Sequence, residues 1–256
     1  MSKNHTGVLE NSRTRLKKIV EQRGLSDVAV TVLVKPLTAE EAIGKPGRRD
    51  FPIIIGKERV IEAEVLGAKG HAFTDSPADF TGRLKDILNL SLKTNSDRAL
   101  YIATLNAVLG HLRIAEKMVH CKDEEPELCG KEIADYILKR WGKVKVGLIG
   151  LNPAIAEALS DTFGAENVRI TDLNGQNIGS EKFGVEIWDG GKKPDDLIRR
   201  SDVVLITGTT LVNGTFDSII DCIHNHGKDY LIYGVTAAGV CKLMQLERIC
   251  PYGRNY

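Results

Sequence analysis

Aromatic residues make up only 5% of the 256 residues, too few for the stacking platforms on which single-stranded nucleic acids are held. Net charge is equally scarce: Lys and Arg total 35 against 34 Asp and Glu, a formal +1, with the two signs interspersed. No basic stripe therefore points to nucleic acid or to an anionic membrane. The 5 cysteines (Cys121, Cys129, Cys222, Cys241, Cys250) are an odd number without the density of a disulfide scaffold, which fits a reducing compartment. No apolar run approaches the ~20 residues of a membrane helix. The start, from Met1 to Val20, carries charge where a signal peptide has its apolar core. These absences lead to the expectation of a cytoplasmic protein with neither nucleic-acid nor membrane partners.

Familiar catalytic signatures are missing too. There is no P-loop, no G-x-S-x-G elbow, no zinc-protease helix and no triad order. The clearest signal is the stretch from Lys143 to Leu159, where a buried-type strand (Val144 to Leu151) runs into a helix with Pro153 at its first position, a place proline suits because its missing N–H is an orphan there anyway. Strands and helices then alternate: a helix over 153–163, the strand NVRITDL, a glycine-bearing loop, the strand GVEIW, the helix PDDLIRR, the strand DVVLITG, the helix TFDSIIDCIHNH and the strand YLIYGV. Such alternation implies right-handed crossovers and a mostly parallel, doubly wound sheet. Ligands of these sheets bind beyond the carboxyl ends of the strands.

The first part of the chain has a different grammar. Apolar spacing predicts a helix from Val8 to Gln22 with Gly24 as its stop, then a strand from Val28 to Val34. FPIII, the turn Gly56-Lys57-Glu58 and RVIEAEV read as a hairpin. GAKGHAFTD has glycines at 67 and 70, too many for a firm strand, and is expected to carry the chain across an edge, with His71 a solvated loop residue. ADFTGRLKDILNLSL and SDRALYIATLNAVLGHL read as two helices, the second capped by Asn95 or Ser96, and KEIADYILKRW as another. The whole is an α+β unit followed by an α/β unit.

At the turn after the central strand, Gly150 takes the place of the first glycine of a dinucleotide fingerprint, but Asn152 and Ile155 stand where the other two belong, so NAD and FAD are disfavoured. Asp172, at the end of the second strand, has two readings: a partner for ribose hydroxyls, as in S-adenosylmethionine, or a cap for the turn TDLNGQN. The loop Thr207-Gly208-Thr209-Thr210-Leu211-Val212-Asn213-Gly214-Thr215 places several donors at the same sheet edge, and is expected to hold an anionic or polar ligand. Gly234 and Thr236 lie on that edge after the fifth strand. Asn106, among apolar neighbours, must either tie two elements together or face an interdomain cleft; its place in the joining helix favours the cleft.

The run from His120 to Cys129 concentrates metal-binding side chains, and His120, Cys121 and Cys129 suit a thiophilic ion, although the two cysteines are widely spaced. In Cys222-Ile223-His224-Asn225-His226 the side chains point in different directions on a helix and cannot all converge.

Taken together, GAKGHAFTD, LYIATLNAVL, VGLIGLNPAIAEAL, TGTTLVNGTFD and YGVTAAG resemble a prokaryotic family named for heavy-metal chelation and otherwise of unknown function. The likeness runs roughly from residue 8 to 250 and is most specific in TGTTLVNGT and IATLNA. It implies a first domain (1–95) similar to the N-terminal domain of enolase and a second (96–256) that is Rossmann-like, with partial likeness to methyltransferases. The family's site would lie between them and gather Phe73, Thr74, Asn106, Asn152, Thr209 and Asn213. The expected ligand is a small polar chelator of pterin, flavin or siderophore type, bound and transformed by condensation or hydrolysis. In that reading Asn106, Asn213 and Thr209 act on it. Phe73, Thr74, Gly150, Asn152, Asp172, Thr207, Gly208, Thr210, Thr215, Gly234 and Thr236 hold it. The alternatives are an S-adenosylmethionine-dependent methyltransferase, or a non-catalytic carrier of a metal ion or chelate. A metal ion or its chelate is thus the first cofactor to consider, and self-association stays open.

Overall fold

The computed structural model describes residues 7–25 and 31–255. Helix α1 (Val8–Gln22) follows the expected bounds and turns Leu9, Ser12, Leu16 and Val20 inward. Then come β1 (Thr31–Leu37), the short helices α2 (Ala39–Ile43) and α3 (Pro52–Ile55), β2 (Arg59–Val65), β3 (Ala68–Thr74), β4 (Phe80–Arg83), and the helices α4 (Leu84–Leu88) and α5 (Asn95–His111). The strands make an antiparallel sheet in the order β3-β2-β1-β4. Residues 28–30 of the expected first strand lie outside the described residues.

Several local expectations are corrected here. FPIII is helical, because Pro52 occupies the first turn and Phe51 supplies the extended residue before it. The hairpin instead joins β2 to β3 through Leu66 and Gly67, both at positive φ (51° and 79°), the backbone that a two-residue hairpin turn requires. GAKGHAFTD is therefore a strand, and Gly70 serves close packing: a Cβ there would lie 2.3 Å from the Ala107 nitrogen and 2.4 Å from the Ala103 oxygen of α5. The segment before α4 is the edge strand β4 and not a helix. The cap of α5 is Thr94, whose hydroxyl accepts the Asp97 N–H at 3.0 Å.

The second half contains α6 (Glu125–Trp141), β5 (Val146–Ile149), α7 (Pro153–Phe163), β6 (Val168–Asp172), β7 (Glu181–Lys182), β8 (Val185–Asp189), α8 (Pro194–Arg200), β9 (Val203–Thr207), α9 (Thr209–Asn213), α10 (Phe216–Asn225), β10 (Asp229–Tyr233), α11 (Ala238–Met244) and β11 (Arg248–Ile249). Its sheet runs β11-β10-β9-β5-β6-β8-β7. All neighbouring pairs are parallel except β7–β8. The strand order reverses between β5 and β9, so the crossover helices fall on both faces. Val203 and Leu205 of β9 join a core with α6 and α7, whereas Val204 and Ile206 join the core that holds α8 and α10. The alternation is the two-residue period of a strand.

Helix α5 lies between the two sheets. It packs on β2 and β3 on one side and on α9 and α11 on the other, and every residue from Ala99 to Leu109 is buried. A helix apolar all round its circumference is what such a double interface requires. One apolar core thus runs from the antiparallel sheet through α5 to the parallel one. Among the described residues no helix is long and apolar enough to cross a membrane.

Candidate functional site

At the carboxyl edge of the parallel sheet the chain leaves β5 through Gly150 at φ 88°. A Cβ on this residue would meet Thr207 Cγ2 at 2.5 Å, so glycine lets the ends of β5 and β9 lie side by side. The hydroxyl of Tyr233, at the end of β10, donates to the Gly150 carbonyl at 3.1 Å. Asp172 ends β6 and accepts the Leu151 N–H at 2.7 Å through one oxygen and the Asn174 N–H at 2.6 Å through the other. It thus caps its own turn and clamps the neighbouring one. The capping reading of Asp172 holds, and both oxygens are already engaged by backbone.

Asn152 is likewise occupied. Its side-chain oxygen accepts the N–H groups of Ala154 and Ile155 at 3.1 and 3.2 Å, capping α7 with the chain's own atoms where a dinucleotide fold leaves room for pyrophosphate.

The stretch from Thr207 to Thr215 is not an open loop. Residues 209–213 form α9, with Thr210, Leu211 and Val212 buried. The hydroxyls of Thr207 and Thr209 lie 3.1 Å apart at the sheet edge, and Thr210 donates to the Thr207 carbonyl at 2.7 Å. Gly208 donates its N–H to the Tyr233 carbonyl at 2.9 Å. Asn213 closes a local turn instead, its oxygen accepting the N–H and hydroxyl of Thr215 at 3.0 and 2.7 Å. It sits at the far end of α9, beside Gly214, against which Arg98 packs.

The expectation for Asn106 is also corrected. Its side chain is fully buried, donates to the carbonyls of His71 (2.9 Å) and Val235 (3.1 Å), and accepts the Gly239 N–H at 2.8 Å. Fully buried and held by three bonds to backbone, it is closed off from any ligand. Asn106 and Asn213 therefore do not share a hollow. Thr74 is buried and accepts the Ser76 N–H.

What does meet this sheet edge from the first half is β3 and the turn after α3. The Phe73 N–H donates to the Thr236 hydroxyl at 3.1 Å, and the Phe73 ring lies edge-on to His120 with centroids 5.1 Å apart. Gly234, at φ 94°, gives its carbonyl to Arg248. Between the halves lies a recess open to solvent, lined by Asp50, Pro52, Ile55 and Gly56 on one side and by Leu151, Pro153, Asn174, Gln176, Asn177 and Lys182 on the other.

Glu58 lies two residues beyond Gly56. Burial, reinforced by the carboxylates of Asp172 and Asp75, raises its pKa to about 7. Nothing local marks it, since Asp172 and Asp75 reach it only through the fold. Burial likewise pushes up the Tyr233 hydroxyl.

His71, expected in a solvated loop, is buried opposite Glu62 in the β2–β3 register. Its Nδ1 accepts the His120 N–H at 3.2 Å, so its proton sits on Nε2 and is shared with Glu62 at 3.1 Å. Burial opposes ionisation of Glu62, but hydrogen bonds from His71 and Lys69 outweigh it and hold the carboxylate at about 2.

The fold brings Cys121 and Cys129 together despite their spacing. Cys121 donates a hydrogen bond to Cys129, which raises the Cys121 thiol and lowers that of Cys129 against the effect of burial. His120 is oriented otherwise. Its Nδ1 bonds the Cys121 carbonyl at 2.6 Å, and the Cys121 sulfur lies 3.8 and 4.0 Å from its two ring nitrogens. A sulfur almost equidistant from both lies off the lone pair of each.

Residues 132–245 match the model of the DUF364 family, described as "Putative heavy-metal chelation". Among solved structures, a DUF364 protein of unknown function from Pyrococcus horikoshii is 14% identical with a TM-score of 0.51, over 90% of this chain and 80% of that one. A second, from Desulfitobacterium hafniense DCB-2, is 11% identical with a TM-score of 0.49, over 73% and 72% of the two chains. At 14% identity the likeness to the Pyrococcus horikoshii protein is one of fold. No curated protein matches the chain. The resemblance carried by the motifs is borne out: residues 132–245 match the DUF364 family.

Proposed function

We propose that this protein binds a small polar metal chelator, of pterin, flavin or siderophore type, in the cleft between the α3 turn and the loop after β6. The observation that carries the reading is the cleft itself. Both halves of the chain line it, and Asn174, Gln176 and Asn177 offer amide donors and acceptors beside Asp50 and Lys182, a lining suited to a planar polar ring or an oxygen-rich chelator.

The order of the six parallel strands, 3-2-1-4-5-6 by their sequence, supports a Rossmann-like second unit. Antiparallel strands backed by α5 support an enolase-like first unit, with the boundary near residue 95 and α5 held by both. Titration with a pterin, riboflavin and catechol, each alone and with ferric ion, tests the binding reading. Saturable binding of one class, lost in the Gln176→Ala/Asn177→Ala double variant, is the expected result. Indifference to all probes, or binding untouched by that variant, rejects it, and binding of S-adenosylmethionine alone would favour methyl transfer.

A second reading rests on the contact between Cys121 and Cys129. Two thiols that shift each other's proton affinity in opposite directions suit a soft metal ion, as a carrier would need. Metal retained by the wild type and lost in the Cys121→Ser/Cys129→Ser variant would support it.

A further inference from the structure

On the face of the parallel sheet that holds α8 and α10, those two helices pack together. Cys222 lies on α10 and His226 just past its end, four residues on, so both point to one side. Asp195 of α8 meets them there. Its Oδ1 lies 2.8 Å from His226 Nε2 and 3.3 Å from Cys222 Sγ. The three donor atoms all lie within 4.8 Å of one another, which makes this a convergent group of three metal-binding side chains among the described residues. On a helix the side chains from Cys222 to His226 cannot converge as a whole. His224 indeed turns away, to pack edge-on against Tyr230. The missing partner was on another helix.

We propose that Asp195, Cys222 and His226 form a surface site for a borderline-soft divalent metal ion of the zinc class. Carboxylate, thiolate and imidazole are the three ligand types that zinc takes, whereas a sulfur and a ring nitrogen argue against magnesium or calcium. Around a tetrahedral zinc with bonds of about 2.0–2.3 Å, neighbouring donor atoms lie roughly 3.3–3.6 Å apart. The present separations of 2.8 and 3.3 Å are those of a hydrogen-bonded trio that needs to open by about half an ångström to take the ion.

Access is direct. Asp195 is 65% exposed and His226 28%, so an ion arrives from solvent and its fourth position falls to water. The Cys222 thiol donates its proton to Asp195, and burial with the facing carboxylate keeps that proton on sulfur, with a pKa of about 11. Binding exchanges this proton for the metal: the S–H bond breaks, the proton passes to solvent and a sulfur–metal bond forms, with no change of oxidation state. A bare surface His–Asp pair accounts for less. Such a pair, open to solvent, stabilises little and has no use for a thiol aimed at the same oxygen.

The test uses the full-length protein titrated with cobalt(II), followed by zinc(II) competition. The expected result is a thiolate-to-cobalt charge-transfer band, displaced by zinc and absent in Cys222→Ser. In His226→Gln the affinity falls by roughly tenfold or more. The band persists in Cys121→Ser/Cys129→Ser, which separates this site from the carrier reading. Circular dichroism of Cys222→Ser and His226→Gln should match the wild type, since the site is at the surface. No band in the wild type, a band that survives in Cys222→Ser, or one lost only with Cys121 and Cys129 would overturn the proposal.

Discussion

The side-chain oxygen of Asn106 accepts the Gly239 N–H at 2.8 Å while its nitrogen donates to the carbonyls of His71 and Val235, so one amide ties α5 to β3 and to the chain after β10. Asn106→Ala leaves three buried backbone groups without partners and should cost about 3 kcal/mol or more. Chemical denaturation measures it. Unchanged stability would mean that water replaces the amide. The cleft lining lies elsewhere, so at temperatures where the variant is folded, ligand affinity should persist.

Glu58 should make stability fall as pH rises. Its carboxyl is raised from an ordinary 4.5 to about 7, so between those values the folded state binds more protons than the unfolded one, and the slope of unfolding free energy against pH is negative. Stability is fullest below about pH 4.5 and is lost through about pH 7, by about 1–3 kcal/mol. Glu58→Gln should flatten that decline and be the more stable protein at about pH 8, as read by urea midpoints across the window. Parallel profiles for both proteins would show an ordinary carboxyl.

Gly150→Ala should destabilise by ~2–4 kcal/mol, through its positive φ and the contact with Thr207 Cγ2. Thr207→Ser removes that methyl group and keeps the hydroxyl. In the double variant it should restore about 1 kcal/mol, a coupling that a double-mutant cycle measures. Strict additivity would mean that the strain is in the backbone alone.

Cys129 should alkylate faster than Cys121 at neutral pH. Its sulfur accepts hydrogen bonds from the Cys121 thiol and the Tyr252 N–H, which favour the thiolate, while its partner keeps the proton. Peptide mapping after limiting iodoacetamide tests the order, and Cys121→Ala should slow the reaction of Cys129. Equal labelling of both thiols would contradict the shared proton.

Much of the architecture is legible in linear order, since periodicity and caps are local properties. The helices over 8–22, 153–163 and 194–200 and the alternation from Val146 onward follow from spacing, Pro153, Pro194 and the glycines that stop or turn the chain. The position of the carboxyl edge of the parallel sheet follows too, because helix and strand polarity set it. Local pattern fails where long-range packing chooses. Gly70 is a contact with α5 and not a break in a strand, and the stretch 209–213 is a helix because three of its residues are buried against the rest of the molecule.

Side-chain roles were decided by tertiary contacts alone. Asn106 and Asn213 have the composition of ligand-binding residues, yet each spends its hydrogen bonds on backbone or on a close neighbour. Glu58 looks like any turn residue until Asp172 and Asp75 close on it, and Cys222 with His226 lacks a third donor until α8 delivers Asp195. A sequence states which groups a chain carries and which local elements they ride on. What those groups can do depends on desolvation and on neighbours distant along the chain, and both come into being only when the two sheets close around α5.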